Sequence, residues 1–153
     1  SIANQEDEAE KYVMKGIEMA EKANNPSRMA VLQAMASEVY HAKGDDQKAL
    51  SYIERAYQID KELGNQAKAM VRLAQKASVL IGLHNYQEAI TTLNEVIPFL
   101  RKSEDRQSLG IACNKMGMAQ YSLKHEDEAI KYYREAADWL DAINLKKLPR
   151  ITL

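Results

Sequence analysis

Four alanines recur at a constant interval of 40 residues, at Ala9, Ala49, Ala89 and Ala129. Large apolar or aromatic side chains follow four residues after each of them, and mostly small side chains follow after seven. Offsets of four and seven place residues on one face of an α-helix, so each alanine marks the buried stripe of a helix. Because one spacing holds along the whole chain, the sequence predicts an array of similar helical units.

Each unit is predicted to be a pair of helices. A second small residue stands twelve positions before the last three of these alanines, at Ser37, Ala77 and Gly117. Small side chains on both helices let the two cross closely, which predicts a tight antiparallel pair. Turn residues separate the segments, and Gly44 and Gly64 suit the position after a helix end. The predicted helices cover 5–23, 27–43, 46–62, 66–83, 86–102, 105–123 and 126–143.

Two positions interrupt this regular pattern. Pro98 falls inside the helix predicted over 86–102, and it is expected to kink that helix near Asn94 or to end it early, because proline lacks an amide proton. A further helix is expected to begin after Asn144.

The repeated pattern resembles the tetratricopeptide repeat. Its clearest copy reads Ser37, Tyr40, Gly44, Ala49, Ile53 and Ala56, and the last copy reads Gly117, Ala129, Tyr133 and Ala136. The resemblance covers residues 5–143. Its period of 40 residues exceeds the usual length of about 34 and resembles the longer-helix variants of bacterial regulatory proteins.

The resemblance implies an all-α fold, a right-handed α-solenoid of antiparallel helix pairs with about seven helices. One domain would span residues 1–153, with a half repeat over 5–23 and repeats over 27–62, 66–102 and 105–143. Since neither end resembles a polar cap, we expect an excerpt of a longer array. Val13 and Ile17 of the half repeat are expected to lie exposed and to promote self-association through the ends of the solenoid.

The charge balance bears on the partners. The chain has 21 basic and 22 acidic residues and a net charge of −1, which gives no electrostatic basis for binding nucleic acid or an anionic membrane. We expect no signal peptide in this sequence, and its apolar stretches are too short to span a bilayer. The expected compartment is a soluble one, the bacterial cytoplasm or periplasm, and the sequence does not decide between them.

The sequence contains no pattern typical of an active site. His41, His84 and His125 lack the spacing of a helical metal site, and Cys113 lies in a stretch that reads as core. Acidic pairs such as Asp45-Asp46 stand at helix starts, where the helix dipole accounts for them. We therefore predict a protein that is not an enzyme and that takes no cofactor and no metal.

The resemblance also implies a concave groove lined by the first helix of each pair. The groove-facing positions carried over are Ala34, Glu38, His41, Ala74, Ser78, Ile81, Asn114, Met118 and Tyr121. Co-chaperones of the family grip a carboxylate with lysines and asparagines at such positions. Here Glu38 replaces a cation and only Asn114 fits, which disfavours that ligand.

Two functions follow from this surface. The first is a non-catalytic module that binds a protein or peptide in the groove, as the sensor or interaction region of a bacterial signalling protein, such as a two-component or transcriptional regulator. The alternative is a structural spacer or self-assembly segment that uses no groove ligand, since a fold does not fix a function.

Overall fold

The computed structural model describes residues 1–147, with side chains described as far as residue 143. These residues form seven helices and no strand. The helices are α1 (Ile2–Lys22), α2 (Pro26–Ala42), α3 (Asp46–Glu62), α4 (Gln66–Gly82), α5 (Tyr86–Lys102), α6 (Arg106–Ser122) and α7 (Glu126–Lys147). The predicted all-α fold of seven helices is confirmed, and none of these helices is long and apolar enough to cross a membrane.

Two helix ends differ from what was expected. Helix α5 continues through Pro98 to Lys102, as the predicted range 86–102 has it, so the proline does not end the helix early, and the alternative kink near Asn94 stays a prediction. Pro98 and Asn94 both lie on the exposed face of α5, where water can bind the carbonyl group that the proline leaves without a donor. Helix α7 continues through Asn144 to Lys147, so no new helix begins there, and any helix beyond it lies outside the described residues.

Short turns with a common design connect the helices. Side-chain oxygens at four of the turns accept a hydrogen bond from the backbone N–H three residues later, which satisfies a donor that the first turn of a helix leaves unpaired. These capping residues are Asn25, Asp45, Asn65 and Asp105. Gly44 and Gly64 have φ angles of 83° and 73°, which confirms their predicted place after a helix end.

The chain divides into two compact units. The first comprises residues Ser1–Asn85, and the second begins at Tyr86. The first unit therefore contains α1 to α4, and the second contains α5 to α7. Each unit is described separately below.

In the first unit, α2 and α3 cross closely at the predicted small residues. The Ser37 hydroxyl donates a hydrogen bond of 2.8 Å to the backbone carbonyl of Ala49, twelve residues later. Ala34 packs with Ile53 and Ala56 in the same buried contact. The marker alanine therefore lies at a helix crossing in this unit, as the 40-residue pattern predicts.

Helix α1 packs against α2 through a charged and aromatic cluster. The Lys43 ammonium group lies 3.0 Å from an Asp7 carboxylate oxygen and 2.5 Å from a Glu10 carboxylate oxygen. The Tyr40 hydroxyl donates a 2.8 Å hydrogen bond to the same Glu10 carboxylate. Burial and this hydrogen bond raise the pKa of Tyr40 to about 12, and the hydrogen bonds from Lys43 and Tyr40 lower the pKa of Glu10.

The expected exposure of Val13 is wrong. Its side chain is buried, because α2 packs against α1, and Ile17 is half-buried. The exposed large apolar residues of α1 are Ile2, Tyr12, Met14 and Met19.

The second unit repeats the close crossing of helices. A β-carbon added at Gly117 of α6 would lie 2.8 Å from ring carbons of Tyr133 on α7. Glycine at this position is therefore what lets the aromatic ring approach the backbone of α6. The Arg101 guanidinium makes two hydrogen bonds, of 2.7 and 3.3 Å, to the Glu135 carboxylate and so connects α5 to α7.

Candidate functional site

The predicted groove residues of α2 differ in accessibility. Ala34 is 3% exposed and packs against α3, so it offers no accessible surface to a ligand. Glu38 and His41 lie exposed. The Glu38 carboxylate accepts a 3.0 Å hydrogen bond from the amide of Gln75 on α4, and the His41 ring contacts the Asp46 carboxylate.

The predicted residues of α4 are half-buried. Ala74, Ser78 and Ile81 each keep part of their surface in solvent. The Ser78 hydroxyl donates a long hydrogen bond of 3.5 Å to the backbone carbonyl of Ala74. The part of this helix that a ligand could touch is therefore mainly apolar.

The predicted residues of α6 are the most accessible. Asn114 lies exposed, Met118 is 37% exposed and Tyr121 is 63% exposed. The Asn114 amide lies 4.0 Å from the Met118 sulfur, a weak contact that leaves both side chains available. The structure thus places all three predicted side chains of the second unit in solvent.

The sequence analysis missed one repeated surface position. Val31, Val71 and Ile111 stand 18 residues before three of the marker alanines, and they are 38%, 47% and 46% exposed. Single exposed aliphatic residues are common and need no explanation. An exposed β-branched aliphatic residue at the same place in three repeats is a pattern, and the 40-residue period in the printed sequence could have revealed it.

On α6 this position completes a continuous stripe. Ile111, Asn114, Met118 and Tyr121 are spaced by three, four and three residues, so they follow one face of the helix. We name these four residues the α6 stripe. Three of its members are large and apolar or aromatic, and Asn114 supplies a donor and an acceptor among them.

Two kinds of chemistry, metal binding and cysteine nucleophilicity, can be assessed on the described residues. These residues contain no group of three or more histidine, cysteine, aspartate or glutamate side chains placed to hold a metal ion. Cys113 is fully buried, and burial, with the nearby Glu135 carboxylate, raises the pKa of its thiol to about 12. Such a thiol stays protonated at neutral pH and is a poor nucleophile.

Comparison with known families supports the helical repeat. A family model described as tetratricopeptide repeat matches residues 111–139, which contain most of α6 and part of α7. A family model described as anaphase-promoting complex subunit 5 matches residues 39–116, about half of the chain. A search of curated proteins gives no match.

Solved structures share the fold at low sequence identity. The crystal structure of BtubC (BKLC) from P. vanneervenii matches with a TM-score of 0.83 at 11% identity, over 98% of this chain. The chain spans 62% of the length of BtubC. Two crystal structures of a Podosopora anserina putative kinesin light chain with nearly identical TPR-like repeats give TM-scores of 0.74 and 0.71 at 16% and 15% identity. They cover 93% and 92% of this chain and 70% of their own.

These identities support the fold alone, and the matched fold is that of TPR-like solenoids. The repeat model matches most of α6 and part of α7, and the helices found in both units have the order that the repeat predicts. The chain therefore belongs to the tetratricopeptide repeat family, and its residues 39–116 belong with the family described as anaphase-promoting complex subunit 5.

Proposed function

We propose that the chain is a non-catalytic module that binds a protein or peptide through the exposed side chains of α2, α4 and α6. Tetratricopeptide repeats generally mediate interaction between proteins, and their fold is typically a scaffold without catalysis. The observation that carries the proposal is the exposed aliphatic residue repeated at Val31, Val71 and Ile111. A solenoid wall with no ligand has no need for large apolar side chains in solvent at each repeat.

The α6 stripe is the strongest candidate surface in the second unit. Fully burying a side chain such as isoleucine or methionine contributes about 1.5–3 kcal/mol, and Ile111 and Met118 still have more than a third of their surface to bury. The ring of Tyr121 adds a rigid aromatic contact that keeps a polar end. A few such anchors usually provide most of the affinity of an interface.

The polar groups suggest what the ligand carries. Glu38 brings a negative charge to the predicted surface of the first unit, and it already accepts a hydrogen bond from an amide there. A ligand with a basic or amide group would suit it, and a free carboxylate would be repelled. We therefore propose an apolar peptide segment with a basic or amide side chain.

A finer proposal concerns the parent protein. The 40-residue period supports the sensor or interaction region of a bacterial signalling protein or transcriptional regulator, and this assignment stays a prediction. The alternative, a structural spacer or self-assembly segment, would leave the exposed aliphatic residues without a role in ligand binding.

The test selects a ligand from a displayed peptide library with the full chain. Affinity is then measured for Tyr121→Ala and Ile81→Ala, with Lys131→Ala on the exposed face of α7 as the control. Loss of about 1–3 kcal/mol of binding at the first-helix positions, with folding intact and the control unchanged, would support the proposal. Equal binding by all three variants would instead favour the spacer.

A further inference from the structure

A series of hydrogen bonds in the first unit runs from the interior to the exposed face of α2. It begins at Asp60 on α3, whose side chain is 2% exposed and lies 3.0 Å from the Arg72 guanidinium on α4. Arg72 also donates a 3.2 Å hydrogen bond to the side-chain oxygen of Gln75. The Gln75 amide nitrogen donates a 3.0 Å hydrogen bond to Oε1 of the exposed Glu38 carboxylate. The series therefore connects a buried carboxylate to an exposed one.

The direction of these hydrogen bonds is set by Arg72. A guanidinium group carries donors and no acceptor, so the oxygen of the Gln75 amide is the end that faces Arg72. The nitrogen of the same amide is then the end that reaches Glu38. An inverted amide would lose both hydrogen bonds, so Glu38 is held in contact with a donor.

The Glu38 carboxylate receives no charge compensation from this contact. The buried Asp60 charge is balanced by the Arg72 guanidinium, whereas Gln75 gives Glu38 a neutral donor. A carboxylate that accepts one hydrogen bond from an amide still has acceptor sites left. A cationic group adds Coulomb attraction to its hydrogen bond, which a second amide would not. A ligand with a basic side chain is therefore favoured over a ligand with an amide at this position.

Exposed apolar side chains lie one helical turn before both partners of the outer hydrogen bond. Met35 precedes Glu38 by three residues on α2, and Val71 precedes Gln75 by four residues on α4, so each pair shares one face of its helix. Met35 is 41% exposed and Val71 is 47% exposed. The methylene stem of a basic side chain packs on apolar surface of this kind while its charged end meets a carboxylate.

The occupied oxygen of Glu38 distinguishes the two basic side chains. Arginine binds a carboxylate best through two parallel hydrogen bonds, one to each oxygen. At Glu38 an arginine has to share Oε1 with the Gln75 amide or displace it. The ammonium group of lysine is a point charge that needs one oxygen, and the second oxygen of Glu38 supplies it.

We propose that Glu38 is the specificity-determining residue of the first unit and selects a lysine side chain of the bound peptide. Gln75 is the positioning residue that occupies one carboxylate oxygen, and Arg72 holds Gln75 in that orientation. The inference rests on the proposed function, because it assigns one residue of the peptide that the exposed side chains of α2 and α4 bind.

The test selects peptides on three forms of the full chain from a displayed library that encodes lysine and arginine at equal frequency. The forms are the unaltered chain, Glu38→Gln and Gln75→Ala. The unaltered chain is expected to enrich peptides with lysine beside apolar residues, and lysine should be more frequent than arginine. Glu38→Gln should enrich neither basic residue, because its amide carries no charge.

The variant Gln75→Ala separates positioning from charge. It leaves the Glu38 charge in place and frees Oε1, so an arginine can donate to both carboxylate oxygens. One selected peptide is made in a lysine form and an arginine form, and fluorescence anisotropy gives the affinity of each. The ratio of arginine to lysine affinity should rise by about threefold or more in Gln75→Ala, because the arginine gains one hydrogen bond. Loss of a merely structural contact would weaken both forms alike.

A matched control exists on α3. Gln58 donates a 3.0 Å hydrogen bond to the exposed Glu62 carboxylate, so Gln58→Ala removes the same kind of bond away from α2 and α4. The ratio of lysine to arginine affinity should stay as it is in the unaltered chain. Circular dichroism checks that each variant is folded.

Three results would overturn the proposal while leaving the proposed function intact. The first is that the unaltered chain selects peptides without a basic residue. The second is that Glu38→Gln enriches lysine as strongly as the unaltered chain does. The third is an equal ratio of lysine to arginine affinity in the unaltered chain and in Gln75→Ala. A library that yields no binder at all would instead refute the proposed function, and this inference with it.

Discussion

Replacing Arg72 by methionine should destabilise the first unit strongly. The Arg72 guanidinium on α4 lies 3.0 Å from the carboxylate of Asp60 on α3, and their side chains are 13% and 2% exposed. Methionine keeps much of the apolar stem but removes the charge, so a buried carboxylate is left without its cation. Breaking a buried pair in this way costs about 3–5 kcal/mol.

The buried pair belongs to a wider network of hydrogen bonds. Arg72 also donates a 3.2 Å hydrogen bond to Gln75, and Gln75 in turn donates to Glu38. The substitution therefore disturbs a network that joins α2, α3 and α4. Removing both charges with Asp60→Leu and Arg72→Met should recover most of the loss, because no unpaired charge remains buried.

The free energy of unfolding in urea, followed by circular dichroism, measures this loss. A cost of about 3–5 kcal/mol corresponds to a fall in Tm of about 6–20 °C for a chain of this size. Lys22→Met breaks an exposed pair with Glu18, whose side chains are 76% and 65% exposed, and it should leave the Tm unchanged. A loss for Arg72→Met as small as that of Lys22→Met would refute the buried ion pair.

Three further predictions concern the second unit. Gly117→Ala places a β-carbon against the Tyr133 ring, so overpacking of about 1–3 kcal/mol outweighs a gain in helix propensity of about 1 kcal/mol. When Tyr133 is also replaced by alanine, Gly117→Ala should instead stabilise the fold. A double-mutant cycle of unfolding free energies measures this change of sign. Cys113, with its pKa raised to about 12, should react with iodoacetamide slowly in the folded chain at pH 8 and rapidly in urea; equal rates would contradict its burial. Hydrogen bonds from Arg101 hold the pKa of Glu135 below its ordinary value. The stabilisation from this ion pair is therefore fully present above the pKa of an unfolded glutamate, and it is lost as the pH falls through the lowered pKa of the folded chain. As the pH is lowered from 5, the free energy of unfolding should therefore fall less for Glu135→Gln than for the unaltered chain. Parallel plots of unfolding free energy against pH for the two proteins would show that the ion pair contributes nothing.

Helix positions could be predicted because packing repeats in the sequence. The marker alanines lie where backbones cross closely, and a larger side chain there would separate the helices. The hydrogen bond from the Ser37 hydroxyl to the Ala49 carbonyl shows that two small residues twelve positions apart meet where α2 and α3 cross. Because each crossing requires a small residue, alanine recurs at the same interval along the chain, and this recurrence is visible in the sequence.

The turns carry a second period that the sequence analysis did not use. Positive φ angles recur in the turns at intervals of 20 or 40 residues. The residues are Asn24, Gly44, Gly64, His84 and Lys124. Glycine adopts this conformation freely, and asparagine and histidine adopt it more often than most residues, whereas lysine does so rarely. Since only some copies carry the favourable residues, sequence preference alone could not reveal the full series.

Surface accessibility was the least predictable property. Ala34 was placed in the groove by analogy, but it packs with Ile53 and Ala56 because a small residue beside the crossing is drawn into the contact. Val13 is expected from the sequence to be exposed for lack of a partner, yet it is buried in a unit where α1 packs against α2. Exposure depends on the neighbouring side chains in three dimensions, whereas helical periodicity gives only the face of the helix on which a residue lies.

A matched pair of isoleucines tests the proposed binding surface most directly. Ile111 of the α6 stripe is 46% exposed, and Ile130 of α7 is 49% exposed. Isothermal titration of a library-selected peptide into Ile111→Ala and Ile130→Ala therefore compares the same change at equal exposure. Ile111→Ala is expected to weaken binding by about 1–2 kcal/mol while Ile130→Ala has no effect. Equal affinities for the two variants, or a loss at Ile130→Ala alone, would contradict binding through the first helices.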